Sequence, residues 1–200
     1  MKYYKLCVSG AAETGHCSED ALKKAEELGR EIVRHNSILV TGATTGTPFW
    51  ASKGAKEEGG ISIGLSPAYS EKEHIEDFDL PTENLDVIIY TGFNFSGRNL
   101  FLTRSADAVF IVCGRMGTLN EFSIAFEDNK PIGVLEGTGG TADLIRDLIP
   151  KLHRGSRKIV YDTDPKRLVE KVLELVKKEK VITLPTRKKE AQNNKHAAEM

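Results

Sequence analysis

The chain has 200 residues, 40% hydrophobic and 28% charged, and its 28 Lys and Arg against 29 Asp and Glu leave a formal net charge of -1. At this length folding hides roughly 70% of the extended-chain surface, so a full core forms without disulfides or metal, and the balanced charge exerts no global pull toward nucleic acid or a membrane surface. No run of about 18 consecutive apolar residues occurs, and Met1-Lys2-Tyr3-Tyr4-Lys5 leads straight into an apolar strand, so neither a transmembrane helix nor a signal peptide is expected.

Leu6-Cys7-Val8 is a short apolar run ending at Ser9-Gly10. A loop follows, then Ser18-Glu19-Asp20, whose serine is suited to accept the first free amides of a helix. Ala21, Leu22, Ala25, Leu28, Ile32 and Val33 recur at helical spacing up to about His35. The unit repeats: Ile38-Leu39-Val40 breaks at Gly42, a helix covers Pro48 to Glu58, and Gly59-Gly60 ends it. Ile61 to Leu65 supply a third strand. Residues 66 to 84 are polar and acidic and carry Pro67 and Pro81, which predicts an exposed connection and a candidate lid over the site.

Val87 to Tyr90 then read as strand, Ser96 to Arg104 as helix, Ala108 to Cys113 as strand and Thr118 to about Asp128 as helix. The alternation continues through a strand from Ile132 to Leu135, a helix from Thr141 to Leu152, a strand from Ile159 to Tyr161 and a helix from Pro165 to Lys178. Continuously apolar strands alternating with amphipathic helices predict a three-layer, doubly wound, Rossmann-like α/β fold with a mainly parallel sheet of about seven strands. Residues 1–184 are expected to form one domain. Residues 185–200, rich in Lys, Gln and Asn with little apolar content, are expected to form a solvated tail.

In such a sheet the ligand crevice lies beyond the carboxyl ends of the strands, where helix N-termini offer unpaired amides. Four of the turns there are rich in Gly and Thr: Ser9 to Gly15, Thr41 to Gly46, Cys113 to Thr118 and Gly137 to Thr141. Glycine lets the backbone approach a phosphate and threonine adds a hydroxyl donor. These turns nominate Gly10, Ala11, Gly42, Thr44, Gly114, Arg115, Met116, Gly117 and Thr118 as phosphate- or nucleotide-binding residues. Gly10 to Gly15 has the GxxxxG spacing of a P-loop but continues His16-Cys17 where Lys and Ser or Thr are required, which argues against an ATPase. Gly10-Ala11-Ala12 lacks the second glycine of GxGxxG, and strand two ends in Thr41-Gly42 without a ribose-binding carboxylate, so hydride transfer is equally unsupported.

The densest stretch runs from Phe95-Ser96-Gly97-Arg98-Asn99 through Thr103 to Ala108 and on to Cys113-Gly114-Arg115-Met116-Gly117-Thr118-Leu119-Asn120-Glu121. It resembles the LOG-like proteins, the cytokinin-activating phosphoribohydrolases once labelled "lysine decarboxylase-like", within the SLOG superfamily. It is most similar to the subgroup with a GRN segment and a later GTGG loop, here Gly97 to Asn99 and Gly137 to Gly140. The likeness spans residues 6 to about 176.

The resemblance implies a nucleotide-binding protein in which Arg98 and Glu121 are catalytic, cleaving the N-glycosidic bond of a nucleoside 5′-monophosphate, with Gly114, Gly117 and Thr118 as phosphate cradle. The chemistry is coherent, since a carboxylate can stabilise the positive charge that builds on the sugar and orient water. Arg98 would hold a phosphate or ribose oxygen and keep Glu121 ionised. Three positions depart from the family pattern: Cys113 stands for proline, Arg115 for a glycine and Asn99 for a lysine. They motivate the alternative, a non-catalytic nucleotide or molybdenum-cofactor carrier or sensor on the same scaffold. The resemblance also implies a homodimer or higher homo-oligomer built through helices that flank the site. Decarboxylation is set aside because nothing marks a cofactor-bearing lysine.

The remaining expectations concern smaller features. Cys7, Cys17 and Cys113 form an odd set without CxxC spacing, which points to a reducing, cytoplasmic compartment. His16 beside Cys17 suggests a metal pair, but no second pair stands at usable spacing, so neither a metal centre nor a bound cofactor is expected. Asp107 is assigned to local backbone bonding, Glu13 and Thr14 to an exposed turn, and Phe49 and Trp50 to packing. The partner is expected to be a nucleotide or other phosphorylated small molecule. Neither a membrane nor nucleic acid is expected, the latter because the core lacks a basic stripe.

Overall fold

The structure is a computed structural model that describes residues 3–155 and 158–179. The elements follow in the expected alternation: β1 (Tyr4–Gly10), α1 (Ala21–Arg34), β2 (Ser37–Thr41), α2 (Thr47–Glu57), β3 (Ser62–Ser66), α3 (Glu71–Glu76) and β4 (Val87–Tyr90), then α4 (Asn94–Ser105), β5 (Ala108–Val112), α5 (Met116–Glu127), β6 (Ile132–Leu135), α6 (Gly140–Lys151), β7 (Ile159–Asp162) and α7 (Pro165–Glu179). All seven strands are parallel, in the order β4-β3-β2-β1-β5-β6-β7. The three-layer Rossmann-like expectation holds. The expected tail and the boundary at 184 lie outside the described residues.

Alternation along the central strands sorts the two cores, because successive side chains leave opposite faces of the sheet. Leu6, Val8, Phe110 and Val112 pack with Leu28, Ile32, Leu168 and Val172 on the face covered by α1, α2 and α7. Cys7, Val109 and Ile111 pack with Leu102, Phe122, Phe126 and Ile145 beneath α4, α5 and α6. At the edge the cover stops, and Val87 and Ile89 of β4 are exposed. The expectation of strands buried on both faces therefore holds at the centre and fails at this edge.

Two local expectations are corrected. Ser18 does not cap α1: its hydroxyl donates to Asp20 Oδ1 at 2.7 Å, and Asp20 stands at the cap position without a side-chain bond to the helix. Residues 66 to 84 are not simply an exposed connection, because they contain α3 and a buried anchor. Ser70 Oγ accepts from the Glu73 amide to start that helix. His74 is fully buried, with Nδ1 2.8 Å from Ser66 Oγ and Nε2 3.1 Å from the Pro81 carbonyl. Both ring nitrogens are occupied, which satisfies a polar side chain in the interior and ties both ends of the segment to one point.

Helices α1 and α2 approach each other through Gly29 and Gly54. The Ala51 carbonyl stands where a Cβ on Gly29 would lie, and the Glu26 carbonyl does the same at Gly54. Alanine gains about 1 kcal/mol of helix propensity over glycine. Overpacking against rigid backbone costs about 1–3 kcal/mol and should outweigh it. Gly29→Ala and Gly54→Ala are each expected to lower the midpoint of urea denaturation; a raised midpoint would show that the helices part without cost.

Candidate functional site

The strand order reverses direction between β1 and β5: from β1 the chain builds outward to β4, then returns to lay β5 on the other side of β1. Gly10 and Val112, the last residues of these strands, stand in register. A cleft of about 320 Å³ opens over them, lined by Gly10, Ala11, Thr44, Phe95, Arg98, Asn99, Arg115, Gly117, Thr118 and Glu121 among others. That is where a doubly wound sheet holds its ligand. A larger hollow of about 640 Å³ lies at the opposite end of the sheet, beside Lys5, Asp107 and Lys130. Its polar groups serve one another: Asp107 and Lys5 exchange backbone-directed bonds at 2.7 and 2.8 Å, and Lys130 Nζ donates to the Ala106 carbonyl at 2.6 Å.

The turn from β5 into α5 is held from behind. Cys113 and Gly114 take φ of 51° and 102°, the left-handed region, and a Cβ on Gly114 would overlap Thr118. The Cys113 amide donates to Thr138 Oγ1 at 2.8 Å, and Thr138 Oγ1 donates to the Leu135 carbonyl at 2.6 Å. The Gly114 and Cys113 carbonyls accept from the Thr141 and Ala142 amides, each at 2.9 Å. The turn's carbonyls are thus spent on the Gly137–Thr141 loop. The first turn of α5 leaves the amides of Met116, Gly117 and Thr118 without intrahelical acceptors, as every helix start does. A Cβ built on Gly117 meets nothing within 4 Å, so the space over this helix start is open.

Arg98 and Glu121 meet at the floor of the cleft, 4% and 6% exposed. Arg98 Nη1 lies 3.4 Å from Glu121 Oε1, Ser9 Oγ donates to Glu121 Oε2, and Arg98 Nε finds no hydrogen-bond partner among the described residues. Asn99 adjoins them: its Nδ2 lies 2.9 Å from Asn120 Oδ1, and with the amide turned over it lies 2.8 Å from both Glu121 Oε1 and the Phe95 carbonyl. A chamber of about 30 Å³, room for one water, lies between Ser9, Gly42, Arg98 and Glu121. Burial pushes the Glu121 carboxyl above its ordinary range, against the smaller opposing pulls of Arg98 and Ser9. It also pushes the Arg98 guanidinium down, which Glu121 resists. The sequence reading had Arg98 holding Glu121 ionised. In the structure desolvation outweighs a single 3.4 Å contact.

Of the nominated binding residues, Gly10, Ala11, Thr44, Arg115, Gly117 and Thr118 border the cleft with Arg98 and Glu121. Gly42 borders only the inner chamber, and its missing Cβ makes room for the Arg98 guanidinium. Gly114 shapes the turn from behind, and the Met116 side chain is exposed, away from the cleft lining. Arg115 reaches across the mouth to Glu13 at 3.0 Å. Ser9 and the inward role of Asn99 escaped the sequence reading, as did Phe95, which lines the cleft with its ring 6.0 Å from the Arg98 guanidinium. Trp50 packs against the core. A signal for Ser9 existed, since a polar residue follows the apolar run of a central strand there.

The cysteines require a correction. Cys17 and Cys113, 96 residues apart, form a disulfide, and Cys7 alone is free and buried. With that pair bridged, cysteine usage no longer argues for a reducing compartment. No helix among the described residues is long and apolar enough to cross a membrane.

Against known proteins, the model of the SLOG cluster4 family matches residues 3–169. An uncharacterized protein of Archaeoglobus fulgidus is 30% identical over 136 residues, which is 68% of this chain and 82% of that protein. The molybdenum cofactor carrier protein of Chlamydomonas reinhardtii superposes with a TM-score of 0.72 at 28% identity, covering 88% of this chain and 99% of the other. The molybdenum cofactor binding protein of Rippkaea orientalis gives 0.70 at 27% identity, over 89% and 98%.

A buried carboxyl whose folded pKa is raised stabilises the fold below its unfolded value, and that contribution is lost as pH rises through the folded value. The wild type is therefore expected to lose melting temperature relative to Glu121→Gln as pH rises above the ordinary carboxyl value of 4.5. A wild type that gains on the variant over the same range would show that Arg98 outweighs burial.

Proposed function

Since the chain belongs to the SLOG cluster4 family, we propose that it binds a phosphorylated small molecule, a nucleotide or the molybdenum cofactor, in the cleft over β1 and β5, and that it carries this cargo without cleaving it. Supporting the ligand class are the open amides of α5 and the Arg98 guanidinium, which border one cleft, a pairing of helix start and cation suited to a phosphate. A nucleotide and the phosphate-bearing pterin of the molybdenum cofactor share that group and a flat ring, and Phe95 offers a face for the ring. The carrier proteins named above share fold and length with this chain at 27–28% identity.

The observation that carries the choice of carrier is the state of Glu121. Both of its oxygens are engaged, one by Ser9 and the other by Arg98 and Asn99, and it is 6% exposed. A glycosidase needs this carboxylate turned toward sugar and water. The second reading, hydrolysis of a nucleoside 5′-monophosphate as in the LOG-like enzymes, is favoured by one feature. The water-sized chamber borders the carboxyl, whose raised pKa suits a proton acceptor.

Titration with nucleoside 5′-monophosphates and with the molybdenum cofactor, followed by thermal unfolding and by chromatography for free base, separates these readings. The carrier reading expects stabilisation on the order of 5–10 °C at about a hundredfold excess over Kd, without release of base. Gly117→Asp places a carboxylate in open space beside the cleft and is expected to weaken binding at least about tenfold while leaving the apo melting temperature within a few degrees. Base release that is lost in Glu121→Ala would establish the hydrolase. Preference for a single-stranded oligonucleotide over every monophosphate would overturn both.

The proposal includes a homodimer. Val87, Ile89, Phe93 and Phe101 are exposed along β4 and α4, with the rings of Phe93 and Phe101 stacked 5.0 Å apart. A second copy seated there would back the helix that carries Arg98. Sedimentation velocity is expected to give a dimer for wild type and a monomer for Phe101→Glu; a monomeric wild type would contradict it.

A further inference from the structure

Beside the cleft, and forming no part of its lining, His16, Cys17 and Cys113 bring one nitrogen and two sulfurs within 4.8 Å of one another. His16 Nε2 lies 3.5 Å from Cys113 Sγ and 3.3 Å from the Gly114 carbonyl. Two thiolates and an imidazole are the donor set that favours a zinc ion over hard cations. A tetrahedral Zn²⁺ with bonds of about 2.3 Å to sulfur and about 2.0 Å to nitrogen holds its ligand atoms roughly 3.5–3.8 Å apart. The His16–Cys113 spacing already meets this. The two sulfurs need only part from bonding distance, which side-chain rotation can accomplish at a Cα–Cα separation of 5.7 Å.

The backbone keeps these residues together whether or not the sulfurs are joined. Cys17 forms an isolated antiparallel bridge with Gly139, and the Ser18 amide donates to the Thr138 carbonyl at 3.1 Å. The Cys113 amide donates to Thr138 Oγ1 at 2.8 Å. Both cysteines are therefore pinned to one loop, residues 138 and 139, by bonds that reduction leaves intact. His16 is exposed, which gives an ion access from solvent.

We propose that His16, Cys17 and Cys113 form a three-ligand Zn²⁺ site with an open fourth position once the disulfide is reduced, so that bridge and metal are alternative states of the same pair. A dithiol opens the bridge: its thiolate attacks one sulfur, giving a mixed disulfide and releasing the other as a thiolate, and its second thiol displaces the remaining sulfur. The reductant leaves as a cyclic disulfide, two electrons and two protons pass to the protein, and Zn²⁺ then displaces the two thiol protons. This site stands independently of the cargo proposed for the cleft.

The test uses the full chain, reduced with excess dithiol, desalted without oxygen, and titrated with Zn²⁺ against a chromophoric chelator, with Co²⁺ as spectroscopic probe. One ion per chain is expected, with thiolate-to-cobalt charge-transfer bands, and no binding to the oxidised protein. Cys17→Ser and Cys113→Ser are expected to remove the bands, and His16→Ala to weaken binding at least about tenfold. A measurement on wild type alone guards against misfolded variants: bound Zn²⁺ should protect Cys17 from alkylation, read by mass spectrometry. Zinc binding by the oxidised form, binding unchanged in His16→Ala, or alkylation of Cys17 at the same rate with and without zinc would each overturn the site.

Discussion

The guanidinium of Arg98 is buried at the floor of the cleft beside Glu121, and the site is organised around that confinement. Glu121 faces one of its nitrogens and Gly42 yields the volume it occupies. Ser9 takes up the oxygen that Arg98 leaves, and Asn99, its amide nitrogen turned inward, shares the other. Each partner comes from a different element, β1, the turn after β2, α4 and α5, so the cluster exists only when the strand order has closed β5 against β1. Burying a charge pair with one long contact is costly unless further groups compensate. Arg98 Nε, buried and without a hydrogen-bond partner among the described residues, leaves that compensation incomplete.

Much of this was legible from residue order alone. Runs such as Val109 to Val112 and the glycine turns that follow them carry the fold class, because a central parallel strand admits little besides apolar side chains. The pairing of Arg98 with Glu121, and the placing of Gly117 and Thr118 beside them, were legible through motif resemblance. What escaped depends on contacts between distant segments. His74 in a polar stretch reads as surface, yet Ser66 and the Pro81 carbonyl satisfy its ring in the interior. Cys17 and Cys113 stand 96 residues apart, and nothing local to either announces the other. Ser9 is one hydroxyl at a strand end, and its meaning appears only when Glu121 of α5 lies against it. Ser18 has the right type for a helix cap, but α1 starts two residues later than that, with Asp20 at the cap position.

The departures from the LOG-like pattern acquire physical content in the structure. Arg115, where that pattern has glycine, pairs with Glu13 at 3.0 Å, and both residues line the cleft. Asn99, in place of lysine, adds a neutral donor to Glu121 where a cation would have pulled the carboxyl toward ionisation. Cys113, in place of proline, keeps an amide that Thr138 receives, and its sulfur ties the turn to Cys17. Arg115 thus pairs with Glu13 beside the cleft, and Cys113 anchors the turn behind the helix start.

The central claim is that a phosphate sits between the α5 amides and the Arg98 guanidinium. A crystal structure of the protein soaked with a nucleoside 5′-monophosphate tests it most directly. Phosphate density within hydrogen-bond distance of the Gly117 and Thr118 amides is the result this account requires. Density confined to the hollow beside Lys5 and Lys130, at the far end of the sheet, would contradict it.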